Sequence, residues 1–264
     1  MGDRAERRRI LEILTRECKM AAGLPQNYDP IGKTTHFQFF VEHSLPGGAE
    51  GVAADLAATC ESDYGKLLAI FAGSVPSHLP FNVYLDDFTK GASHGSCAST
   101  EISIGYVAQA AQTPAGVTDY HAMMLMAEVV EVFSCKLTGW PCAENTGEGL
   151  SRVLARELHP GGESKATVSA PIWLKQNPRP DWISRTRLSD VDPIAVGCSV
   201  LFLNWLNRVK MMAWSDIVAC GGLTLAATYQ ALTGNGNAWS DFSADMQARW
   251  APGTAYTAVT DQPF

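Results

Sequence analysis

The chain has 264 residues, 46% hydrophobic and 18% charged, with a formal net charge of −7. That composition is ordinary for a globular protein and allows a sizeable core in one large domain or two small ones. The acidic balance, with positive residues scattered apart from the run at Arg4 to Arg9, argues against nucleic-acid binding, and no segment has the apolar length of a membrane helix.

The N-terminus lacks the apolar run of a signal peptide, so the cytoplasm is the expected compartment. The seven cysteines contain no close CxxC pair, which weakens a zinc-finger reading. Cys135 and Cys142 flank a turn and could bridge in an oxidising compartment. Cys198 and Cys220 sit in apolar runs and read as small core residues.

Residues 3–20 read as a polar amphipathic helix closed by Gly23 and Pro25, and residues 26–34 as a loop. Residues 35–43, THFQFFVEH, are rich in aromatic and β-branched types and predict a strand. A helix follows over residues 49–71, with Val52, Leu56, Cys60 and Leu67 on or near one face. Residues 81–86 (FNVYLD) and 100–106 (TEISIGY) predict strands, separated by a flexible bend at residues 91–95.

The central stretch is residues 120–156: an apolar helix, a Gly/Pro turn and a second helix. Thr118 or Asp119 can cap the first of these. Residues 159–180 look like a surface excursion, and the last third is helical, over residues 192–209, 214–219, 223–232 and 239–250. Early strands and late helices argue an α+β fold. The expectation is one domain over 1–264: a small mixed or antiparallel sheet on a central helix through 137, and a mainly helical part over 138–264.

Chemistry enters with Glu128 and Glu131 on the apolar central helix. Three residues apart, they share a face, with Cβ atoms roughly 5–6 Å apart. Glu148 opens the second helix within Gly147-Glu148-Gly149-Leu150-Ser151. Carboxylates on a core helix are costly unless paired, protonated or metal-bound.

This order resembles the catalytic domain of gluzincin metallopeptidases. In that resemblance GEGLS stands where the third-ligand motif falls, residues 91–105 look like the substrate-binding edge strand, and residues 194–203 look like a later family helix. It implies a zinc peptidase, but the HExxH motif reads Ala127-Glu128-Val129-Val130-Glu131 here. The first histidine position is Ala127 and the second is Glu131. The general-base position Glu128 and the third-ligand position Glu148 are retained, and the oxyanion tyrosine position is Ile194. Zinc prefers nitrogen and sulfur donors, so the residues at these positions give no zinc site, and the expectation is no metal and no cofactor.

The leading expectation is therefore metal-independent hydrolysis of a glycan or polar small molecule. Glu128 would be general acid/base, Glu131 its partner, and Glu148 would tune their pKa values, because crowded carboxylates push one another's pKa apart. His94 would serve as an accessory proton shuttle. Arg152 would orient a carboxylate, and Trp140 and Trp173, in loops, would contact substrate. The alternative is a non-catalytic pseudopeptidase that binds a peptide, glycan or protein partner, its glutamates satisfied by Arg152, Lys33 or backbone donors. A third reading is a hard-cation site on Glu131, Glu148 and Glu128. A nucleophile among Ser93, Ser96, Cys97 and Ser99 beside His94 has no elbow motif around it. Met123, Met124 and Met126 read as core filling, and His36, His43 and His121 as structural.

Overall fold

The structure, a computed structural model, describes residues 27–264 except 89–90, 97, 108–113, 138, 166–167, 189–191 and 252–259, and only the backbone of 114–118 and 164–165. The helix expected over residues 3–20 lies outside these residues.

The fold is α+β: a five-stranded mixed sheet beside a central helix, then a largely helical C-terminal region. The strands are β1 (Tyr28–Lys33), β2 (Phe37–Glu42), β3 (Phe81–Asp86), β4 (Ala92–His94) and β5 (Glu101–Gly105), in the order β1-β2-β3-β5-β4. Helix α1 (Gly48–Ile70) joins β2 to β3. That crossover makes the two strands parallel, with Phe37 opposite Phe81 and Val41 opposite Leu85. Both edge strands, β1 and β4, are antiparallel to their neighbours.

Alternation fixes which face is buried. Phe37 and Phe39 of β2, Phe81, Val83 and Leu85 of β3, and Ile102 and Ile104 of β5 are all fully buried. Leu56, Cys60, Tyr64 and Leu67 of α1 join the same core. Each fully buried Phe or Leu contributes on the order of 1.5–3 kcal/mol.

Helix α2 (Pro114–Ser134) packs against α1 and touches the β5 and β4 edge of the sheet. Its residues Leu125, Met126, Val129, Val130 and Phe133 are buried around its circumference, as in a helix enclosed by neighbours. Its start at Pro114 corrects the cap expected at Thr118 or Asp119; proline suits a first helical position. A turn leads into α3 (Asn145–Leu158), which lies along α2 and on α5 (Pro193–Asn204). Between them come a 3-10 turn (Pro160–Lys165) and α4 (Ala170–Leu174). A π-helical turn (Trp205–Val209), α6 (Trp214–Ala219), α7 (Leu225–Thr233) and α8 (Ala238–Arg249) follow among the described residues. Asp192 caps α5 by accepting from the Ile194 and Ala195 N–H groups.

Three expectations change. The loop over residues 26–34 contains β1, which tolerates Pro30 and Gly32 because it is an edge strand with a register irregularity there. The bend at residues 91–95 contains β4. The surface excursion over residues 159–180 contains α4, whose Ala170, Trp173 and Leu174 are buried. Among the described residues no helix is long and apolar enough to cross a membrane.

Candidate functional site

Three elements converge on one cleft of about 250 Å³. Helix α2 presents Glu128 and Glu131 from one face. Helix α3 carries Glu148 in its first turn, and β4 ends on His94. Tyr120, Met123 and Ala127 supply apolar wall, and Arg152 and Arg156 stand on the α3 side.

Gly147 and Gly149 explain how closely these parts fit. A Cβ on Gly147 would lie 2.2 Å from the Pro141 carbonyl oxygen, so only glycine admits the turn that carries Cys142. A Cβ on Gly149 would lie 2.7 Å from the Ser199 Cβ, so its absence seats α3 on α5. The glycines in this motif are packing positions, and the glutamate between them faces the cleft.

His94 links the two glutamates of α2. Its Nδ1 is 2.5 Å from Glu128 Oε2 and its Nε2 is 3.8 Å from Glu131 Oε2. A carboxylate only accepts, so Nδ1 carries a proton, and in the neutral ring Nε2 keeps its lone pair. Glu131 is buried and accepts from the Ser151 hydroxyl at 3.1 Å. Burial, followed by the negative charges of Glu148 and Glu128, pushes the Glu131 carboxyl up to about 10. It therefore holds its proton at neutral pH. Glu148 accepts from Arg152 Nε at 2.6 Å, one helical turn away. Arg156 is buried, with Nη2 2.7 Å from Asp261 and Nε 3.3 Å from Glu163.

The four residues Glu128, Glu131, Glu148 and His94 thus come together, with Arg152 beside them. His94, expected as an accessory proton shuttle, has a side chain 6% exposed that stands between two carboxylates. Trp140 and Trp173 are corrections. Both are fully buried, and their indole N–H groups donate to the Val218 carbonyl at 3.0 Å and the Pro180 carbonyl at 2.9 Å. Trp140 in its turn and Trp173 on α4 both point into the core, and these rings offer no stacking face to a ligand. Cys97 lies outside the described residues, so the proposed serine and cysteine cluster beside His94 is described only in part.

Sequence reasoning missed Cys142 as a site residue. Ligand-capable atoms of Cys142, His94 and Glu131 lie within 4.8 Å of one another. Cys142 and Cys135 are thiols, not a disulfide. The available signal was a cysteine in the turn between the two glutamate-bearing helices. Ala127, the first ligand position implied by the resemblance, has no donor atom, so the peptidase ligand set does not fit. Neither a protein-family model, nor a curated protein, nor a solved structure matches the chain.

Proposed function

We propose that the cleft is a hydrolytic active site on a gluzincin-like scaffold, acting by acid/base chemistry on a small polar molecule. The observation that carries this reading is the row Glu128, His94, Glu131, whose two glutamates line the cleft. His94 Nε2, backed by Glu128 on Nδ1, takes a proton from an attacking water. The water oxygen adds to the electrophilic centre of the substrate. Glu131, which holds its proton at neutral pH, gives it to the leaving group. Glu148 keeps that proton in place through its negative charge and is itself held by Arg152.

The cleft volume of about 250 Å³ is below the usual range for drug-sized ligands, roughly 300–1,000 Å³. It suits a small molecule or the end of a longer one. With Trp140 and Trp173 in the core, a polar small molecule is favoured over a glycan held by stacking. The Glu148–Arg152 pair favours a second reading, a pseudopeptidase cleft that binds a ligand without chemistry.

The experiment is a hydrolysis screen of the purified full chain against ester, amide, phosphoester and glycoside probes of small size. Turnover that falls by about 10²–10⁴ in both Glu131→Gln and Glu128→Gln supports the acid/base reading. Turnover by neither wild type nor variants, with saturable binding of a polar ligand, sinks it in favour of the binding cleft.

A further inference from the structure

We propose that His94, Glu131 and Cys142 form a site for a thiophilic divalent transition ion of the zinc and cobalt class. The donors are an imidazole nitrogen, a carboxylate oxygen and a sulfur, all within 4.8 Å of one another. Three protein ligands that include histidine or cysteine, with a fourth position open, are the donor set of zinc centres that bind exogenous groups. A tetrahedral ion with bonds of roughly 2.0–2.3 Å holds its donors about 3.3–3.8 Å apart. The cluster therefore needs to close by about 1 Å, a movement that a cysteine in a turn can supply.

A second observation points the same way. Histidines that bind metal almost always donate their other ring N–H to a carboxylate, carbonyl or water. Glu128 occupies that position on His94 Nδ1 at 2.5 Å, and Nε2 stands on the side of Glu131 at 3.8 Å. The imidazole is thus held in the orientation and tautomer a metal ligand requires. Charge agrees: a thiolate and a carboxylate neutralise a divalent ion, and three glutamates line a cleft that holds two arginines, each already paired with carboxylates. The ordinary account of a half-buried cysteine is packing. Here the sulfur lies beside a buried carboxylate and a histidine. This is not the ligand set of the peptidase resemblance, with which it shares only the position of Glu131.

The metal site does not depend on hydrolysis. An ion on Glu131 displaces its proton and removes it from the acid role, so zinc should suppress the activity proposed above. The site is tested by titrating cobalt(II) into the chelator-treated, reduced full chain. The expected result is a thiolate-to-cobalt charge-transfer band that saturates at one equivalent and is bleached by zinc. Cys142→Ser should abolish the band and Cys220→Ser should leave it. Glu128→Gln should keep the band and weaken binding by about 10–100-fold.

No thiolate band in the wild type, or a band that survives Cys142→Ser in folded protein, overturns the site. Should Cys142→Ser fail to fold, alkylation of the wild type decides: zinc must protect Cys142 from iodoacetamide, and unprotected labelling overturns the proposal. The two readings fail separately. Cobalt binding without any turnover leaves the metal site standing alone. Turnover without cobalt binding leaves the acid/base cleft standing alone.

Discussion

His94 Nδ1 bonds Glu128 at 2.5 Å while its Nε2 faces Glu131 at 3.8 Å, so one imidazole spans two glutamates that share a helix face. Removing the ring separates the carboxylates from each other's chemistry. His94→Ala is expected to lower kcat by about 10²–10⁴, the usual worth of a positioned base. Its urea midpoint should also fall, by about 1–3 kcal/mol of stability, because the ring is buried and Glu128 loses its 2.5 Å partner. Steady-state kinetics and an unfolding curve on the same preparation check both parts. Retained kcat in His94→Ala would remove the imidazole from the mechanism.

Gly147→Ala tests the fit of the turn that carries Cys142. Within a helix, alanine normally stabilises relative to glycine by roughly 0.5–1 kcal/mol. Here the new Cβ would lie 2.2 Å from a backbone carbonyl oxygen, which cannot rotate away. The clash decides the sign, and destabilisation by about 1–3 kcal/mol is expected. Urea unfolding measures it. A more stable Gly147→Ala protein would show that the turn does not pack here.

Asp63 gives the fold an acid limit. It is buried on α1 and accepts from His159 Nε2 at 2.8 Å and Lys66 Nζ at 2.9 Å. Burial alone would raise its pKa. The hydrogen bonds from His159 and Lys66, with their charges, outweigh burial and hold it below the ordinary value. A carboxylate depressed in the folded state contributes stability above its unfolded pKa, about 3.9, and loses it as pH falls through the lower folded value. The urea midpoint should therefore hold between neutral pH and about 4 as far as Asp63 is concerned, and fall below that. Asp63→Asn should flatten this acid limb and cost about 1–3 kcal/mol at neutral pH by weakening buried hydrogen bonds. An unchanged acid limb in the variant would assign it to other carboxylates.

Much of the frame is legible from residue types alone. Strand β3 alternates Phe81, Val83 and Leu85 with Asn82, Tyr84 and Asp86, and its period is the signal. Glu128, Glu131 and Glu148 are conspicuous because they stand on helices that bury their neighbours. What was not legible depends on tertiary contacts. Pro30 and Gly32 hide β1, since proline in a strand is acceptable only once an edge is known to exist. Cys142 joins His94 and Glu131 only after α2 and α3 pack, and no spacing rule links those positions. Trp140 and Trp173 look like cleft residues because loops usually run over the surface, whereas these segments turn inward. The terminal segment has no period, yet it carries a fully buried aspartate.

That aspartate, Asp261, ties the end of the chain to the wall of the cleft. It is fully buried and accepts from the Ser169 and Ala170 N–H groups at 2.7 and 2.6 Å. Its other oxygen lies 2.7 Å from Arg156 Nη2, and Arg156 lines the cleft. Asp261→Ala leaves two backbone donors without that acceptor and deprives a buried guanidinium of its nearest carboxylate, with Glu163 still at 3.3 Å. Removing one partner of a buried pair costs about 3–5 kcal/mol. Asp261→Asn keeps an oxygen for the backbone donors, though it turns an amide NH2 toward Arg156 in place of the second oxygen, so it should cost less than alanine. Urea unfolding should rank wild type, Asp261→Asn and Asp261→Ala in that order of falling stability. Equal stability of all three would mean that the terminal segment does not hold Arg156. Because Arg156 lines the cleft, the asparagine variant should also alter KM for a cleft substrate more than a surface substitution of equal stability cost does.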